Sequence, residues 1–499
     1  MAGIQALPDA RQVGPRGILA RIEHNPALAS RVIWLAWAFT RGLLFLGMIA
    51  GRNFCDAEFY KYAGAFATGS LPYRNIAVEY PPLAIVLLLL PALPLLPFGQ
   101  IAPRPDAATG AALVHQSPPD PTRFAAYGIS FGVEMLIIDA LTLVLVRWTA
   151  RRYLAGDRYG TRASLLYIML VFFSGALLQK FDLAAGALCL LAVVAAWAGR
   201  YRASGVVLAA AVLVKGFPVL LLPALAFFAL KVTTSGRHDW RERLRPAIEI
   251  VVAFGATIAV MTLAVVLVAG MDAVVHTITY HTGRQAEIES LYANLMLLLG
   301  WIPGFAAHTA FAVDGLSRVV ISPLGSFLDP VSVILLVGLP VLVYIAYGWG
   351  GVVRALHVQA YGHERQRLAA VAVALMLAFI VAFRALPAHY VLALLPLVAI
   401  TRLPNERLQR LMIAGFAAVA ILGQILAVPP IWHALVVQLP WAVLTLTLRN
   451  VGWIVAYAAL VVALWQLSSG DWEALSQENT YEGRRRPGKA AQGSGYPAP

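Results

Sequence analysis

The sequence has little charge and almost no cysteine for its length. Only 13% of its 499 residues are charged and 60% are hydrophobic, whereas about 25% are charged in an average soluble protein. The two cysteines, Cys55 and Cys189, are too few for a disulfide framework or a Cys-x-x-Cys metal site, so we expect two free thiols. A P-loop, a G-x-S-x-G elbow, an H-E-x-x-H motif and haem or iron–sulfur cysteine sets are also missing. These absences argue against ATP hydrolysis and predict no metal and no cofactor.

Long polar segments are missing too. The longest, Phe98–Arg123 and Ser468–Pro499, fall short of the roughly 50 residues that a soluble domain needs. Met1–Ser30 has no apolar core followed by a small-residue cleavage site, so the first apolar run, near Val32, is expected to stay as an anchor. Apolar runs of about 18 residues or more recur along the chain, which predicts an all-α, polytopic transmembrane helical bundle.

About twelve spans give a consistent layout. They are residues 32–50, 124–146, 163–179, 183–199, 203–214, 217–230, 247–270, 330–348, 368–386, 390–401, 411–427 and 450–467. Several of them, notably 203–214 and 390–401, are shorter than a bilayer of about 30 Å requires. The chain thus divides into an N-terminal segment (1–31), a membrane domain (32–467) and a tail (468–499) that we expect to be disordered.

The net charge of +13 comes from Lys and Arg residues in short clusters between the apolar runs. With twelve spans, most of these clusters, among them those in 147–162 and 484–489, fall on one side, which the positive-inside rule makes cytoplasmic. Both termini are then cytoplasmic, and the loops 51–123 and 271–329 are extracytoplasmic. Such clusters interact with anionic membrane lipids, and we expect no nucleic-acid partner.

Two apolar segments are not counted as spans. Tyr80–Phe98 is apolar enough to cross a bilayer, but that count would move the cluster in 147–162 to the outside. Its five prolines also break a regular helix. We therefore predict a juxtamembrane or re-entrant segment there, inside the first large external loop. Leu291–Phe305 resembles it and is predicted to be a second such segment.

The predicted external face collects acids, histidines and isolated cations from five separated parts of the chain. They are Asp56, Glu58 and Glu79; Gln179–Asp182; Lys215–Pro218; His276–Asn294; and Phe383–Tyr390. Loops that only join spans are more often short and neutral. The collection therefore indicates a site assembled on a helical scaffold.

A carboxylate just beyond a span can act as a general base, because it is ionised and still borders a partly dry pocket. Asp56 is the best candidate, since it lies nearest the predicted end of the first span and its short side chain loses little rotamer freedom. Glu58, two residues on, is expected to point away into solvent. Glu79 is expected to orient an acceptor or to cap the juxtamembrane segment. The alternative for each is an ordinary solvated loop acid.

Isolated cations suggest an anionic ligand. Lys215 lies between two short apolar helices, where it needs an anion such as phosphate or must extend to the lipid headgroups. Arg284 could bind phosphate through two hydrogen bonds, or could pair with Glu287 or Glu289 across one helical turn. Arg384 and His389 form a similar pair of cations, with the same two interpretations.

Two further groups of charged or titratable residues do not indicate a site by themselves. His276 and His281 are five residues apart, which is not a strong zinc spacing. Glu134 and Asp139 are acids inside the second predicted span, and intramembrane acids are functional by default. Arg41 in the first span is a suitable partner for them, so we favour a structural ion pair.

The motifs together resemble a known family. "DAEFYKYAGAFATGSLPY" (Asp56–Tyr73) and "VEYPPLAIVLLLLPALP" (Val78–Pro94) are similar to the first external loop of the polyprenyl-phosphate-dependent glycosyltransferases of the GT-C superfold. The segments Gln179–Pro223, with its Lys-Gly-Phe-Pro, and Glu289–Gly300 extend the likeness. The group that these segments resemble most is glycosyltransferase family 87, the actinobacterial mannosyl- and arabinofuranosyltransferases of cell-envelope synthesis. The likeness covers residues 30–300, and the later spans match in hydropathy alone.

The resemblance implies a membrane enzyme that moves mannose or arabinofuranose from a polyprenyl-phosphate donor to a glycolipid or glycan acceptor outside the membrane, with inversion at the anomeric carbon. Asp56 matches the position of the catalytic acid. The residues then expected to bind the donor phosphate are Lys215, Arg284, Arg384 and Lys180, the last of which stands where the family often has Asn or Gln. Those expected to bind the acceptor or the sugar are Glu79, Tyr60, Tyr80, His281, His389 and Asp182.

Two other classes of protein use similar residues. A membrane transporter or lipid flippase also has polar groups at the midplane and broken helices. It would often show an internal repeat, and the external loop 51–123 has no counterpart later in the chain. A scaffold for envelope assembly would not need both acids and cations on one face.

Overall fold

The computed structural model describes residue 22 and residues 25–76, 78–98, 120–154, 156–233, 240–312, 317–352 and 361–466. Three predictions therefore fall partly or wholly outside the described residues. They are the cytoplasmic N-terminal segment (most of 1–31), the middle of the first external loop (99–119) and the disordered tail (468–499).

The described chain is almost entirely helical, as predicted. Its α-helices are α1 (Pro26–Ala50), α2 (Ala57–Ala67), α3 (Pro82–Leu89), α4 (Pro121–Thr149), α5 (Gly156–Ser174), α6 (Asp182–Trp197), α7 (Tyr201–Val214), α8 (Leu221–Thr233), α9 (Trp240–Ala269), α10 (Met271–Thr282), α11 (Leu291–Leu299), α12 (Gly325–Val352), α13 (Tyr361–Ala382), α14 (Val391–Ile400), α15 (Glu406–Leu426), α16 (Pro429–Val436) and α17 (Pro440–Gln466). Short 3₁₀ turns precede α8 and α14.

Each of the twelve predicted segments coincides with a helix. Among the described residues, seven helices are long and apolar enough to cross a membrane: α1, α4, α9, α12, α13, α15 and α17. The other five segments are α5, which begins with charged residues, and the short apolar helices α6, α7, α8 and α14. The protein is therefore a membrane-embedded helical bundle that also contains helices shorter than a full bilayer thickness.

The predicted first external loop contains helices, as expected. α2 follows directly on α1, and α3 begins at Pro82, where a proline needs no hydrogen-bond partner. From Leu90 to Phe98 the chain narrows to a 3₁₀ helix that contains Pro94 and Pro97, because proline removes backbone donors and disfavours a regular α-helix. The second apolar segment forms the nine-residue helix α11.

A small β-hairpin was not predicted. Strand β1 (His308–Phe311) pairs antiparallel with β2 (Arg318–Ile321), with His308 opposite Ile321. The outer edge of β2 holds the segment before α11, since the Ile288 amide donates to the Arg318 carbonyl at 2.8 Å and the Val320 amide to the Ala286 carbonyl at 3.0 Å. Strands of four residues give too little alternation for a sequence pattern to reveal.

The core lies around α13 and α14. Every residue of α14 is buried, and 89% of the apolar stretch of α13 is buried. α9 is more apolar than α13, yet only 6% of its apolar stretch is buried. A helix that is apolar on all sides and unburied within the protein is suited to contact with lipid.

Helix α6 packs tightly against α14. A Cβ built at Gly186 would lie 2.4 Å from the Ala393 carbonyl oxygen, so no larger residue fits without a shift. Glycine at such a contact lets two helix backbones approach closely. This contact places the start of α6, with Asp182, beside the turn before α14, which carries His389.

The predicted ion pair of the second span is confirmed. Arg41 of α1 binds Asp139 of α4 through two hydrogen bonds, of 2.8 and 3.0 Å, and both side chains are buried. The Trp37 indole and the Tyr167 hydroxyl each donate to the same carboxylate at 2.6 Å. The acid is saturated, so its role is to join α1, α4 and α5.

Candidate active site

Four ion pairs gather at the ends of the short helices. Each consists of one cation and one carboxylate; three of the pairs join distant parts of the chain, whereas Arg284 and Glu287 are three residues apart. They are Lys180–Asp56, Lys215–Asp182, Arg284–Glu287 and Arg449–Glu289. The positive charges of all four cations act on one residue, His389, which lies among them.

Asp56 lies at the start of α2, in the position of a helix cap. Its carboxylate makes no capping hydrogen bond and instead pairs with the Lys180 ammonium from the loop before α6. The Asp56 side chain is 40% exposed and that of Lys180 is 22% exposed. Burial opposes the charge of Lys180, but the neighbouring Asp56 carboxylate raises the pKa of Lys180 overall. Asp56 is therefore open to a ligand on one side and neutralised on the other.

Asp182 is the most deeply buried of the four carboxylates, with 1% of its side chain exposed. The Lys215 ammonium lies 2.8 Å from one of its oxygens and His389 Nε2 lies 3.7 Å from the other. Lys215 also lies over the Tyr390 and Phe181 rings, at 4.6 and 5.2 Å from their centres. Sequence reasoning assigned all three polar residues to one site but did not predict that Lys215 and His389 contact Asp182.

His389 is held in its neutral form. Burial and the positive charges of Lys180, Lys215, Arg284 and Arg449 lower the pKa of His389 well below its usual range. A neutral imidazole has one donor and one acceptor nitrogen, so it can bind a hydroxyl group without adding charge.

Arg284 and Arg384, both predicted to bind donor phosphate, lie in different environments. Arg284 pairs with Glu287, one of the two acids considered from the sequence, and donates to the Ser317 hydroxyl at 3.2 Å. Arg384 binds Asp329 at 2.9 Å, and over half of that aspartate is exposed. Only Arg284 is among the four cations whose charges act on His389.

Arg449 is the main residue that sequence reasoning missed. It is fully buried in α17, binds Glu289 at 2.8 Å and donates to the Leu386 carbonyl at 2.8 Å. Glu289 in turn accepts from the Ala388 amide at 3.2 Å. This pair fixes the backbone on which His389 sits. A lone arginine in an apolar helix was the available signal, but the predicted span began one residue later.

Glu58 does not face solvent, contrary to the prediction. It is half-buried, and the Tyr62 hydroxyl lies 3.0 Å from Glu58 and 2.7 Å from Glu79. Burial and the adjacent Glu79 raise the pKa of Glu58 well above its usual range. The prediction failed because the chain returns over α2 at Glu79, and a local helix rule cannot anticipate a contact across that distance.

The remaining predicted residues lie on α2, on α10 and on the segment between α2 and α3. His281 Nε2 lies 3.0 Å from the Glu79 carbonyl oxygen, which joins α10 to the segment between α2 and α3. Tyr80 is half-buried and its ring contacts Phe59, Tyr62 and Phe181 edge-on. Tyr60 is fully buried against Tyr127 and Phe124, so it packs α2 against α4 and does not reach the open side of Asp56.

The described residues contain no group of three or more His, Cys, Asp or Glu side chains arranged to hold a metal ion. Cys55 and Cys189 are buried free thiols, as predicted. No protein-family model and no curated protein matches this sequence. The chemistry of the site therefore has to be inferred from its own residues.

The arrangement can perform two tasks at once. A half-exposed carboxylate, Asp56, is able to accept a proton from a bound hydroxyl group. Lysine has three donors and arginine five, so Lys215 and Arg284 keep donors beyond those used on their acidic partners. Such donors favour a ligand with a compact negative charge, such as a phosphate.

Proposed function

We propose that this protein is a membrane glycosyltransferase of the GT-C type, which transfers mannose or arabinofuranose from a polyprenyl-phosphate donor to a glycolipid or glycan acceptor. The observation that carries the proposal is the placement of Asp56, Asp182, Lys215 and His389 around one set of helix ends. An exposed base beside buried cations is what displacement of a lipid phosphate requires.

The proposed reaction is a single displacement. The Asp56 carboxylate takes the proton of the acceptor hydroxyl, and the hydroxyl oxygen bonds to the anomeric carbon from the face opposite the phosphate. The bond between that carbon and the phosphate oxygen breaks, and the electron pair leaves with the polyprenyl phosphate. The leaving group is already anionic, so it needs stabilising cations, for which we propose Lys215 and Arg284, and no proton.

The topology belongs to the same proposal. With twelve spans, the loops 51–123 and 271–329 and the active site face outward, and both termini are cytoplasmic. Asp272 is exposed at the start of α10, while Arg407 is exposed at the start of α15. Because both native cysteines are buried, an impermeant thiol reagent on intact cells should label Asp272→Cys and spare Arg407→Cys.

The test of function uses purified protein, polyprenyl-phospho-mannose or polyprenyl-phospho-arabinofuranose, and a glycolipid acceptor, with the product detected by mass spectrometry. Asp56→Asn keeps the shape of the side chain but cannot accept the proton, so the rate should fall by about 10²- to 10⁴-fold. Donor binding should persist. Asp272→Asn, an exposed acid outside the site, is the matched control and should retain activity. Transfer by Asp56→Asn at the wild-type rate would remove Asp56 as the base.

A transporter or lipid flippase is the second candidate, and Glu134 is the observation that favours it. Both carboxylate oxygens of this residue in α4 are buried without a hydrogen-bond partner among the described residues, a state expected of a proton-coupling acid. If liposome-reconstituted protein moves the donor lipid across the bilayer, and Glu134→Gln stops it while Asp56→Asn does not, this candidate replaces the first.

A further inference from the structure

A basic groove lies at the opposite end of α1 and α4 from the candidate active site. At the active-site end, Phe54 packs on Phe124 and on Gly128. At the other end, the Arg147 guanidinium donates to the Ser30 hydroxyl at 3.0 Å. About 18 residues of α1 separate Ser30 from Met48, which contacts Gly132, so the two ends are about 27 Å apart. That distance is close to the thickness of a bilayer core of about 30 Å.

The groove has a volume of about 470 Å³. Its lining combines three arginines, Arg147, Arg151 and Arg152, with two tryptophans, Trp34 and Trp148, and its described lining includes no acidic residue. The tryptophans are 38% and 47% exposed, as expected of rings at the boundary between lipid and water.

The backbone directs the arginines into this position. The helix that ends at Thr149 continues as a π-helical turn, Ala150–Leu154. Such turns are rare in proteins, and many of those that occur lie at functional sites. The aliphatic part of Arg151 packs over Gly160, where a Cβ would lie 2.4 Å from the arginine Cγ. The turn and the glycine together place Arg151 and Arg152 in the lining of the groove.

The flank of the groove is apolar. Ile33, Leu143 and Val144 form part of its wall, and Val144 is 49% exposed. Exposed apolar surface of this kind on a membrane helix suits acyl chains. A free anion would use the arginines but not this flank.

We propose that the groove binds the headgroup of an anionic phospholipid, with its phosphate against Arg151 and Arg152 and its acyl chains along α1 and α4. Guanidinium groups bind phosphate oxygens through paired hydrogen bonds, and the glycerol backbone reaches the level of the two indoles. The site is separate from the proposed donor site and does not depend on the proposed reaction.

The experiment measures lipid binding to the full-length protein by native mass spectrometry, with dioleoyl-phosphatidylglycerol and dioleoyl-phosphatidylcholine as probes. Wild-type protein should prefer phosphatidylglycerol. Arg151→Gln with Arg152→Gln should weaken its binding by roughly tenfold to thirtyfold, since each cation near an anionic headgroup contributes on the order of one kcal/mol. The matched control is Arg200→Gln with Arg407→Gln, two exposed arginines outside the groove, and it should bind normally.

Three outcomes would overturn the proposal. They are equal binding of the two lipids to wild-type protein, unchanged binding to the double variant, and displacement of phosphatidylglycerol by inorganic phosphate alone, which would mean a simple anion site. If the double variant does not fold, Arg152→Gln alone is the alternative, because Arg152 is exposed and its replacement should not disturb the fold. It should also weaken phosphatidylglycerol binding, by less than the double variant because only one cation is removed. Arg151→Lys with Arg152→Lys should restore most of the preference.

Discussion

The Arg41–Asp139 pair inside the bundle and the Lys180–Asp56 pair at its edge use the same residue types in opposite ways. Asp139 is fully buried and accepts hydrogen bonds from Arg41, Trp37 and Tyr167. Asp56 has Lys180 as its ion-pair partner, and 40% of its side chain is exposed. The first carboxylate has no capacity left for a ligand, whereas the second has free lone pairs on its open side.

The number of hydrogen bonds that a carboxylate already accepts distinguishes a structural acid from a candidate site residue better than burial does. Asp182 is as buried as Asp139, yet its partners are a lysine and a neutral histidine that also face other charges. A saturated pair stabilises one packing of the helices.

The largest expected effect comes from breaking the saturated pair. Arg41→Met leaves Asp139 buried without its cation, which should lower the free energy of unfolding by about 3–5 kcal/mol. Thermal unfolding of the purified protein in detergent measures this loss. The double variant Arg41→Met with Asp139→Leu should recover most of it, because a matched apolar pair removes the unpaired charge. If the single variant is as stable as the wild type, the pair does not hold α1 to α4.

A smaller effect is expected at the cations, and there it should fall on activity. Under the proposed function, Lys215→Met together with Asp182→Asn, which leaves no unpaired buried charge, removes a charged donor to the lipid phosphate and should lower kcat/KM for the donor by roughly 10- to 100-fold. Arg384→Gln is the comparison, because this cation pairs with the half-exposed Asp329 outside the four ion pairs. Its kcat/KM should change little. Equal losses in the two variants would show that the four pairs around His389 are not a distinct site.

Hydropathy was sufficient to locate every long helix, because the bilayer imposes a length and a composition that a sequence displays directly. It also identified Arg41 and Asp139, since a charge inside an apolar run has few possible partners. The segments that form the candidate site were found for a related reason. Asp56, Lys180, Lys215 and His389 are polar residues at the ends of apolar helices.

The sequence did not reveal which residues pair. Lys180 was assigned to a phosphate and lies against the proposed base, and Arg449 was not considered. These choices depend on how α6, α14 and α17 pack, and that packing rests on contacts such as Gly186 against Ala393. The sequence of a helix predicts which of its faces is apolar, but it does not predict which other helix packs against that face.

The smallest expected effect concerns Glu58, where the comparison of saturated and open carboxylates can be sharpened by pH. The pKa of Glu58 is raised in the folded protein by burial and by Glu79, so the folded state binds this proton more tightly than the unfolded chain does. The resulting stabilisation is complete below the unfolded pKa of about 4.5 and is lost as the pH rises through the folded value. Glu58→Gln cannot ionise, and its amide oxygen can still accept the hydrogen bond from the Tyr62 hydroxyl. Its unfolding temperature should therefore vary less between pH 5 and pH 8 than that of the wild type, and at the upper end it should be equal or higher. A wild-type profile that is flat in this range, or that rises with pH and is matched by Glu58→Gln, would mean that Glu58 is solvated and ionised, as the local helix rule had predicted.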